Sequence, residues 1–384
     1  MSIRHLAAFA LLAGTALAQT PTGPRFTMTI AVPAIEKTAF AITGSVEVPA
    51  RGHAKIPLVL TPGHHYAFSV GGQPVATAAE LAVDVPADGP GVARIGFIGR
   101  TDLHSPRCGA AGDEIFCLNH AMPNPEVGVD GDATYRVAFT LPPGYAALAP
   151  SPDVTQRNGL QFQIARFAPP LERKTAHLAF RYVLPADFRP DARYFAWLET
   201  AMEAWVAAFG APPFQEVLVG ATRRGAKQRD VNGSPSGNLI LVSRTALGDA
   251  PDVSYLATLG VAGDPSDALR RLVLAHEASH FWFGERLAGK DGWMTEGLPN
   301  YLAMALMRRE HVDVSAPLAL FRKLAPGGGD GPIPGTPYAE DKKAYSRAYF
   351  QGALALWEIG EAIGHDALIA LIAEVYRANA DPRA

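Results

Sequence analysis

The sequence has few cysteines, no excess of positive charge and no long apolar run, and each shortage narrows what the protein can be. Lys and Arg number 34 against 37 Asp and Glu, so the formal net charge is −3. Nucleic-acid-binding proteins carry basic patches, so nucleic acid is not expected as a partner. A membrane-spanning helix needs roughly 18 consecutive apolar residues, and none of that length follows residue 18, so no membrane anchor is expected. The 384 residues, 48% of them hydrophobic, suffice for two domains. The sequence leaves the oligomeric state of the protein open.

The first 18 residues have the layout of a secretory signal peptide. Arg4 precedes an apolar run over residues 6–17, and this run is too short to span a bilayer. Ala16-Leu17-Ala18 then forms a small-x-small cleavage site. We therefore expect residues 1–18 to be removed and the protein to be exported, either to the periplasm or to the extracellular space. The alternative is a buried N-terminal core helix.

Export bears on the interpretation of the two cysteines, Cys108 and Cys117. Two cysteines that flank a short loop in an oxidising compartment are expected to form a disulfide. In the loop-entropy model such a bond would contribute roughly 2–3 kcal/mol of stability. A second zinc site is the competing hypothesis, because His104 and His120 bracket the pair, and free thiols are the third.

The periodicity of the sequence changes near residue 185. Before it, short β-rich segments alternate with turns rich in glycine and proline, which predicts an antiparallel β-sandwich or saddle over residues 19–185. After it helical spacing dominates, and residues 192–209 place Phe195, Leu198, Met202 and Trp205 on one face. Strands are predicted at 214–219 and 238–243, and helices at 266–287, 294–309 and 344–379. The chain is therefore expected to be α+β, with a second domain over residues 186–384.

One short segment, His276-Glu277-Ala278-Ser279-His280, carries most of the functional information. Residues four apart lie on the same face of a helix, so His276 and His280 direct two imidazoles at one point. Two such histidines suit a zinc ion, and the adjacent Glu277 is placed to orient and deprotonate an attacking water. Because this string also arises by chance, the residues around it decide how much it means.

A catalytic zinc needs a third protein ligand, and Glu296 stands sixteen residues after His280. With the two histidines it completes a His2Glu set, which predicts one Zn2+ per chain. Arg286 occupies the place where the metzincin pattern would have a histidine. Asp291, in the connecting loop, is the alternative ligand, whereas Glu285 lies too far along the first helix to reach back.

These residues resemble the aminopeptidase-N-like family of gluzincin zinc peptidases. The likeness rests on three blocks besides the histidine pair, namely Trp282-Phe283-Gly284, Trp293-Met294-Thr295-Glu296-Gly297 and Tyr349-Phe350-Gln351-Gly352-Ala353-Leu354. In that family the tyrosine of the last block hydrogen-bonds the oxyanion. The resemblance gives this role to Tyr349, with Tyr345 as the fallback and a core aromatic as the other interpretation. It also implies a thermolysin-like mixed α/β catalytic domain behind an N-terminal β-domain, and a peptide substrate.

Three departures from the family pattern bear on specificity. The spacing between His280 and Glu296 is shorter than in the family, and the large C-terminal helical domain is lacking. The family's Gly-x-Met-Glu-Asn strand, which binds the free amino group of the substrate, is absent, and the segment around Ser236, Gly237 and Asn238 takes its place. Gly237 and Asn238 are nevertheless expected to help bind substrate, since a strand there could pair with a peptide. The glycyl-aminopeptidase family is the related runner-up.

The sequence thus predicts a zinc-dependent peptidase, aminopeptidase-like on small peptides. The missing carboxylate leaves endopeptidase activity open. Two other hypotheses remain: a non-catalytic peptide-binding module that kept the zinc scaffold, and a zinc hydrolase that acts on a non-peptide substrate.

Overall fold

The computed structural model describes most of the chain after residue 23. The described residues are 24–35, 39–49, 52–59, 64–75, 80–85, 91–102, 108–117, 124–125, 133–152, 154, 156, 160–223, 233–249, 266–283, 293–325 and 342–379. The predicted signal peptide lies outside them, as do His104, His120, Glu285, Arg286 and Asp291. Within these ranges, no helix is both long and apolar enough to cross a membrane.

The N-terminal half consists of β-strands. In chain order they are β1 (Arg25–Ala31), β2 (Ala39–Pro49), β3 (Gly52–Val59), β4 (His64–Val70), β5 (Gln73–Val75), β6 (Glu80–Val85), β7 (Val92–Asp102), β8 (Cys108–Ala111), β9 (Glu114–Cys117), β10 (Asn124–Pro125), β11 (Thr134–Thr140), β12 (Ala146–Leu148) and β13 (Phe162–Ala165). The strands that the structure describes here form three sheets, in the orders β11-β1-β2-β7-β4-β5, β10-β3-β6 and β12-β13-β9-β8. Apart from the parallel pair β1 and β11, neighbouring strands are antiparallel, as the turn-rich sequence predicts.

Alternation along the strands buries one face of the six-stranded sheet. In β1, Phe26 and Met28 are buried while Thr27 between them is exposed, because successive side chains point to opposite faces. Phe26 stacks on Tyr135 of β11, with 4.6 Å between ring centroids. Phe162 of β13 belongs to the same core, so the four-stranded sheet packs against the six-stranded one. This arrangement is the expected β-sandwich.

The C-terminal half is built on a five-stranded sheet. Its strands are β14 (Leu171–Lys174), β15 (Ala179–Val183), β16 (Glu216–Thr222), β17 (Gly233–Ser236) and β18 (Leu239–Ser243), in the order β14-β15-β16-β18-β17. β15, β16 and β18 are parallel, and the two outer strands are antiparallel to their neighbours. Since β14 and β15 belong to this sheet, the boundary predicted at 185 cuts through it. The change in periodicity at 185 marks the first helix, not the first strand.

The described residues of this half include six helices. They are α1 (Ala192–Phe209), α2 (Ser266–Ser279), α3 (Leu298–Arg309), α4 (Ser315–Leu324), α5 (Lys342–Ile363) and α6 (His365–Asn379), with a 3-10 turn at Arg244–Leu247 and a π-helical turn at Trp293–Gly297. The prediction for residues 192–209 is confirmed. The helix predicted over 266–287 ends at Ser279, α4 was not predicted, and the segment 344–379 divides in two because Gly364 adopts φ 93°.

Two tryptophans fasten α1 to α2. The indole Nε1 of Trp197 donates to the carbonyl of Arg271 at 2.7 Å, and that of Trp205 donates to the carbonyl of Ala275 at 3.4 Å. Both rings are buried, and a buried indole N–H needs such a partner. The C-terminal turn of α2, which carries the histidine motif, is therefore fixed against the core.

The hairpin of β8 and β9 joins the two halves. Cys108 and Cys117 are directly opposite in the ladder and form a disulfide, which confirms that prediction and leaves no thiolate pair for a second zinc site. Glu114, on the same hairpin, is almost fully buried and pairs with Arg244 of the C-terminal half. Burial raises the pKa of Glu114, although Arg244 opposes this rise. Arg244 also binds the exposed Asp187 at 2.7 Å, so the contact between the halves includes an ionic cluster in which Glu114 and Arg244 are buried.

Candidate metal centre

The two histidines of the motif point at one spot. His276 lies in the last turn of α2, and His280 follows directly after the helix ends. Their Nε2 atoms are 2.9 Å apart, and the ring planes are nearly perpendicular, at 85°. His276 is buried and His280 is half-buried. The convergence expected from the four-residue spacing is present.

The residues after His280 hold its ring. Its Nδ1 lies 3.0 Å from the carbonyl oxygen of Phe283, which suits an Nδ1–H donor and leaves the Nε2 lone pair free for a metal. Phe283 in turn packs edge-on against Phe209, with centroids 4.9 Å apart. Trp282 donates from Nε1 to the carbonyl of Gly210 at 2.9 Å. The aromatic pair of the motif therefore acts as an anchor for the second histidine.

Glu296 reaches the histidines from the π-helical turn that precedes α3. Its Oε2 lies 3.3 Å from Nε2 of His276 and 3.6 Å from Nε2 of His280. In a tetrahedral zinc site with bonds of about 2.0–2.1 Å, the ligand atoms are roughly 3.4 Å apart. The three distances, including 2.9 Å between the imidazoles, are close to this value. These residues therefore fit a zinc ion.

Glu277 is the second carboxylate beside the imidazoles of His276 and His280. One of its oxygens lies within 4.8 Å of both histidine ligand atoms, and the residue is 7% exposed. Two carboxylates, those of Glu296 and Glu277, therefore lie beside the histidine pair. Behind Glu277 lies Gly233 of β17, where a Cβ would come within 2.8 Å of the glutamate Cδ. Sequence reasoning missed Gly233, although a glycine inside a strand can indicate such a close approach.

The charges in the site depend on one another. Burial alone would raise the pKa of Glu296, but hydrogen bonds and charges from His276 and His280 hold it well below its usual range. Burial alone would lower the pKa of His280, but the hydrogen bond and charge of Glu296 outweigh it and raise the pKa to about 9. The Glu296 carboxylate thus lies beside both imidazoles as an anion, and a metal ion bound there would replace the proton on His280.

Tyr349 approaches the histidines from α5. Its ring centroid is 5.9 Å from that of His276, and the residue is half-buried. The close approach of α5 depends on Gly352, because a Cβ there would lie 2.9 Å from Cβ of Trp293 in the π-helical turn. The glycine of the third block therefore lets the helix with Tyr349 pack against the turn with Glu296. The side chain of the fallback, Tyr345, lies outside the described part of the chain.

Comparison with known proteins identifies the fold. No family model matches the sequence, and a search of curated proteins finds no match. An M1 zinc metallopeptidase from Deinococcus radiodurans superposes with a TM-score of 0.65 at 18% identity, covering 94% of this chain and 88% of that one. The fold is that of the M1 zinc metallopeptidases. An aminopeptidase N family protein from Idiomarina loihiensis matches at TM-score 0.63 and 14% identity, over 92% of this chain and 70% of that one.

A third match carries a ligand. A mutant of the Deinococcus radiodurans M1 metallopeptidase bound to a Tyr-Ser-Ala substrate has a TM-score of 0.64 at 18% identity, covering 93% of this chain and 87% of that chain. The M1 fold confirms the architecture that the resemblance implied, a β-domain followed by a mixed α/β domain. Despite the short spacing after His280, Glu296 still reaches the histidines of this M1 fold.

Gly237 and Asn238 are turned towards the β-domain. Gly237 forms the turn after β17 with φ 58°, and its Cβ position is 3.0 Å from Cγ of Gln156. Asn238 is buried, with its amide bound to Ser151 and to the carbonyl of Glu216. These hydrogen bonds use both ends of the amide, so its position does not support the predicted substrate role. The end of β17 that borders the histidine site is Gly233.

Proposed function

We propose that the protein is a zinc-dependent peptidase of the M1 family. The observation that carries this proposal is the convergence of His276, His280 and Glu296 next to a second, buried carboxylate. Zinc held by these three residues would act as a Lewis acid and lower the pKa of an attacking water. The donor set forms one such site, so the proposal is one ion per chain.

Glu277 is the general base in this proposal. It accepts a proton from the water that attacks the peptide carbonyl and then passes the proton to the nitrogen as the C–N bond breaks. Its low exposure supports the role, because electrostatic interactions are stronger where water is excluded. Contact with the main chain at Gly233 limits where its carboxylate can lie.

Tyr349 stabilises the oxygen that becomes negative during attack. Its hydroxyl is assigned as a donor to this oxygen because the ring lies beside His276 and on the helix that packs against the turn with Glu296. Removing one oxyanion donor typically raises the barrier by roughly 3–4 kcal/mol. The hydroxyl of Tyr349 would therefore account for a substantial part of the lowering of the activation barrier.

The substrate is proposed to be a small peptide bound along β17. Among the described strands it is the last in the sheet order, so a peptide could add at its outer edge as a further strand. A short peptide, Tyr-Ser-Ala, is the substrate bound to one of the M1 relatives. The residues of β17, Gly-Ser-Pro-Ser, include no carboxylate for a free amino group. Aminopeptidase-like action would therefore need a partner for that group elsewhere.

We also propose export. The layout of residues 1–18 is that of a signal peptide, and the buried disulfide between Cys108 and Cys117 suits an oxidising compartment. The destination would be the periplasm or the extracellular space.

The test offers matched peptides, with free and with acetylated N-termini, to purified protein that begins at residue 19. We expect hydrolysis that stops with a chelator and returns with zinc. Cleavage of free peptides alone would identify an aminopeptidase, and cleavage of acetylated ones an endopeptidase. Zinc binding without hydrolysis of any peptide would contradict the proposal in favour of a non-catalytic module. Hydrolysis of esters or epoxides alone would instead favour a non-peptide substrate.

A further inference from the structure

A glutamine of the β-domain holds the strand beside the general base. Gln161 lies directly before β13 and is 0% exposed. Its amide Nε2 donates to the carbonyl of Ser234 in β17 at 2.8 Å and to the carbonyl of Leu239 in β18 at 3.2 Å. One side chain from the first domain therefore bridges both strands of a hairpin in the second.

These hydrogen bonds matter because the group is buried. A buried amide that loses its partners costs roughly 1–3 kcal/mol, so Gln161 and the two carbonyls constrain one another. Main-chain carbonyls cannot rotate away without moving the strand. Among the described strands, β17 has a ladder partner on one side only, β18, so the amide of Gln161 is an additional restraint on it.

The restraint acts next to the catalytic carboxylate. Ser234, which accepts the bond from Gln161, follows Gly233, and Gly233 lies against Glu277. A Cβ at residue 233 would already be too close to the carboxylate, so the strand can move little towards α2 without displacing Glu277. Movement away from α2 would loosen the wall that confines the base.

We propose that Gln161 is a positioning residue for Glu277: it fixes β17 and, through Gly233, the place of the catalytic carboxylate beside the metal ligands. The inference rests on the proposed function, and it makes the β-domain part of the catalytic apparatus. The metal ligands lie on α2, directly after it and in the π-helical turn, so zinc binding does not depend on this contact.

Gln163 provides a matched control. It is also 0% exposed and lies two residues further along the same segment. Its Nε2 donates to the carbonyl of Ala221 in β16 at 2.7 Å and to Glu114 at 3.2 Å. Leucine at 163 would therefore remove a comparable pair of buried hydrogen bonds between the domains without touching β17.

The experiment compares Gln161→Leu with Gln163→Leu in the full mature chain loaded with zinc. Both variants should lose similar thermal stability and keep one zinc. Since small displacements of catalytic groups can cost up to about a hundredfold in rate, Gln161→Leu should lower kcat roughly ten- to a hundredfold with little change in KM. Gln163→Leu should keep the kcat of the parent. If Gln161→Leu does not fold, Gln161→Met, which keeps the unbranched length, replaces it.

Hydrogen exchange gives a measurement that does not depend on activity. Amides of residues 233–236 should exchange faster in the Gln161 variant and not in the Gln163 variant. Equal kcat losses in the two variants, or unchanged exchange in β17, would overturn the positioning role. If the parent binds zinc but cleaves no peptide, the proposed function fails, and the exchange data still decide whether Gln161 restrains β17.

Discussion

Gly233 and Glu277 are so close that a Cβ on the glycine would lie 2.8 Å from Cδ of the glutamate and 3.0 Å from its Oε1. Main chain of β17 therefore forms one wall around the proposed base. A side chain at position 233 would need the space that the carboxylate occupies. The catalytic motif on α2 and the strand β17 are consequently adapted to each other.

Replacing this glycine tests the contact. In Gly233→Ala the new methyl group should displace the Glu277 carboxylate, and hydrolysis should fall at least about tenfold, because misplaced catalytic groups lose rate steeply. Bound zinc should remain, since no ligand lies on β17. Ser234→Ala is the control, because its side chain points to the opposite face of the strand. Parent activity in Gly233→Ala would show that the carboxylate has room that the structure does not indicate.

Zinc binding should release a proton well above neutral pH. Glu296 raises the pKa of His280 to about 9 in the metal-free protein, whereas the ordinary value is 6.5. Zinc needs the neutral imidazole, so at pH 8 its binding should release close to one proton. The apparent affinity should rise with pH and level off above about pH 9. Calorimetry at pH 8 in buffers of different ionisation enthalpy measures the release.

The variant Glu296→Gln provides the control for this effect. Without the carboxylate, the pKa of His280 should fall, the proton release at pH 8 should diminish and zinc should bind more weakly. Binding by the parent at pH 8 without proton release would contradict the proposed pairing of Glu296 with the histidines.

Substitution of the tyrosine tests the oxyanion assignment. Tyr349→Phe removes only the hydroxyl, and kcat should fall by about a hundred- to a thousandfold, as for other oxyanion donors. KM and zinc content should change little, because the ring and its packing remain. Tyr345→Phe is the matched variant one turn earlier. If Tyr345→Phe loses the rate and Tyr349→Phe keeps it, the role belongs to Tyr345.

Local geometry explains which parts of the site could be predicted from sequence. His276 and His280 converge because the four-residue spacing of a helix requires it, so the prediction needed nothing beyond residues 276–280. Glu296 was predicted because a catalytic zinc needs a third ligand, and Tyr349 was predicted from the family resemblance. Gly233 and Gln161 escaped prediction because their contacts join segments far apart in the chain. Their distances to Glu277 and to β17 become visible only when the two sheets are packed.

In the fold, too, features set by local sequence could be predicted and features set by long-range packing could not. The helix at 192–209 has a complete apolar face and the capping residue Asp191, and its bounds agree with the prediction. β14 and β15 were grouped with the β-domain because a strand's sequence does not say which sheet it joins. The helix predicted to continue to 287 ends at Ser279, where His280 turns its Nδ1 to the carbonyl of Phe283.

The most direct test of the account is hydrolysis by Glu277→Gln, measured together with its zinc content. The amide keeps the size of the side chain and cannot accept the proton from the attacking water. The account predicts a zinc content equal to that of the parent and a loss of peptide hydrolysis of about a hundredfold or more. Full hydrolysis by the zinc-loaded variant would contradict it.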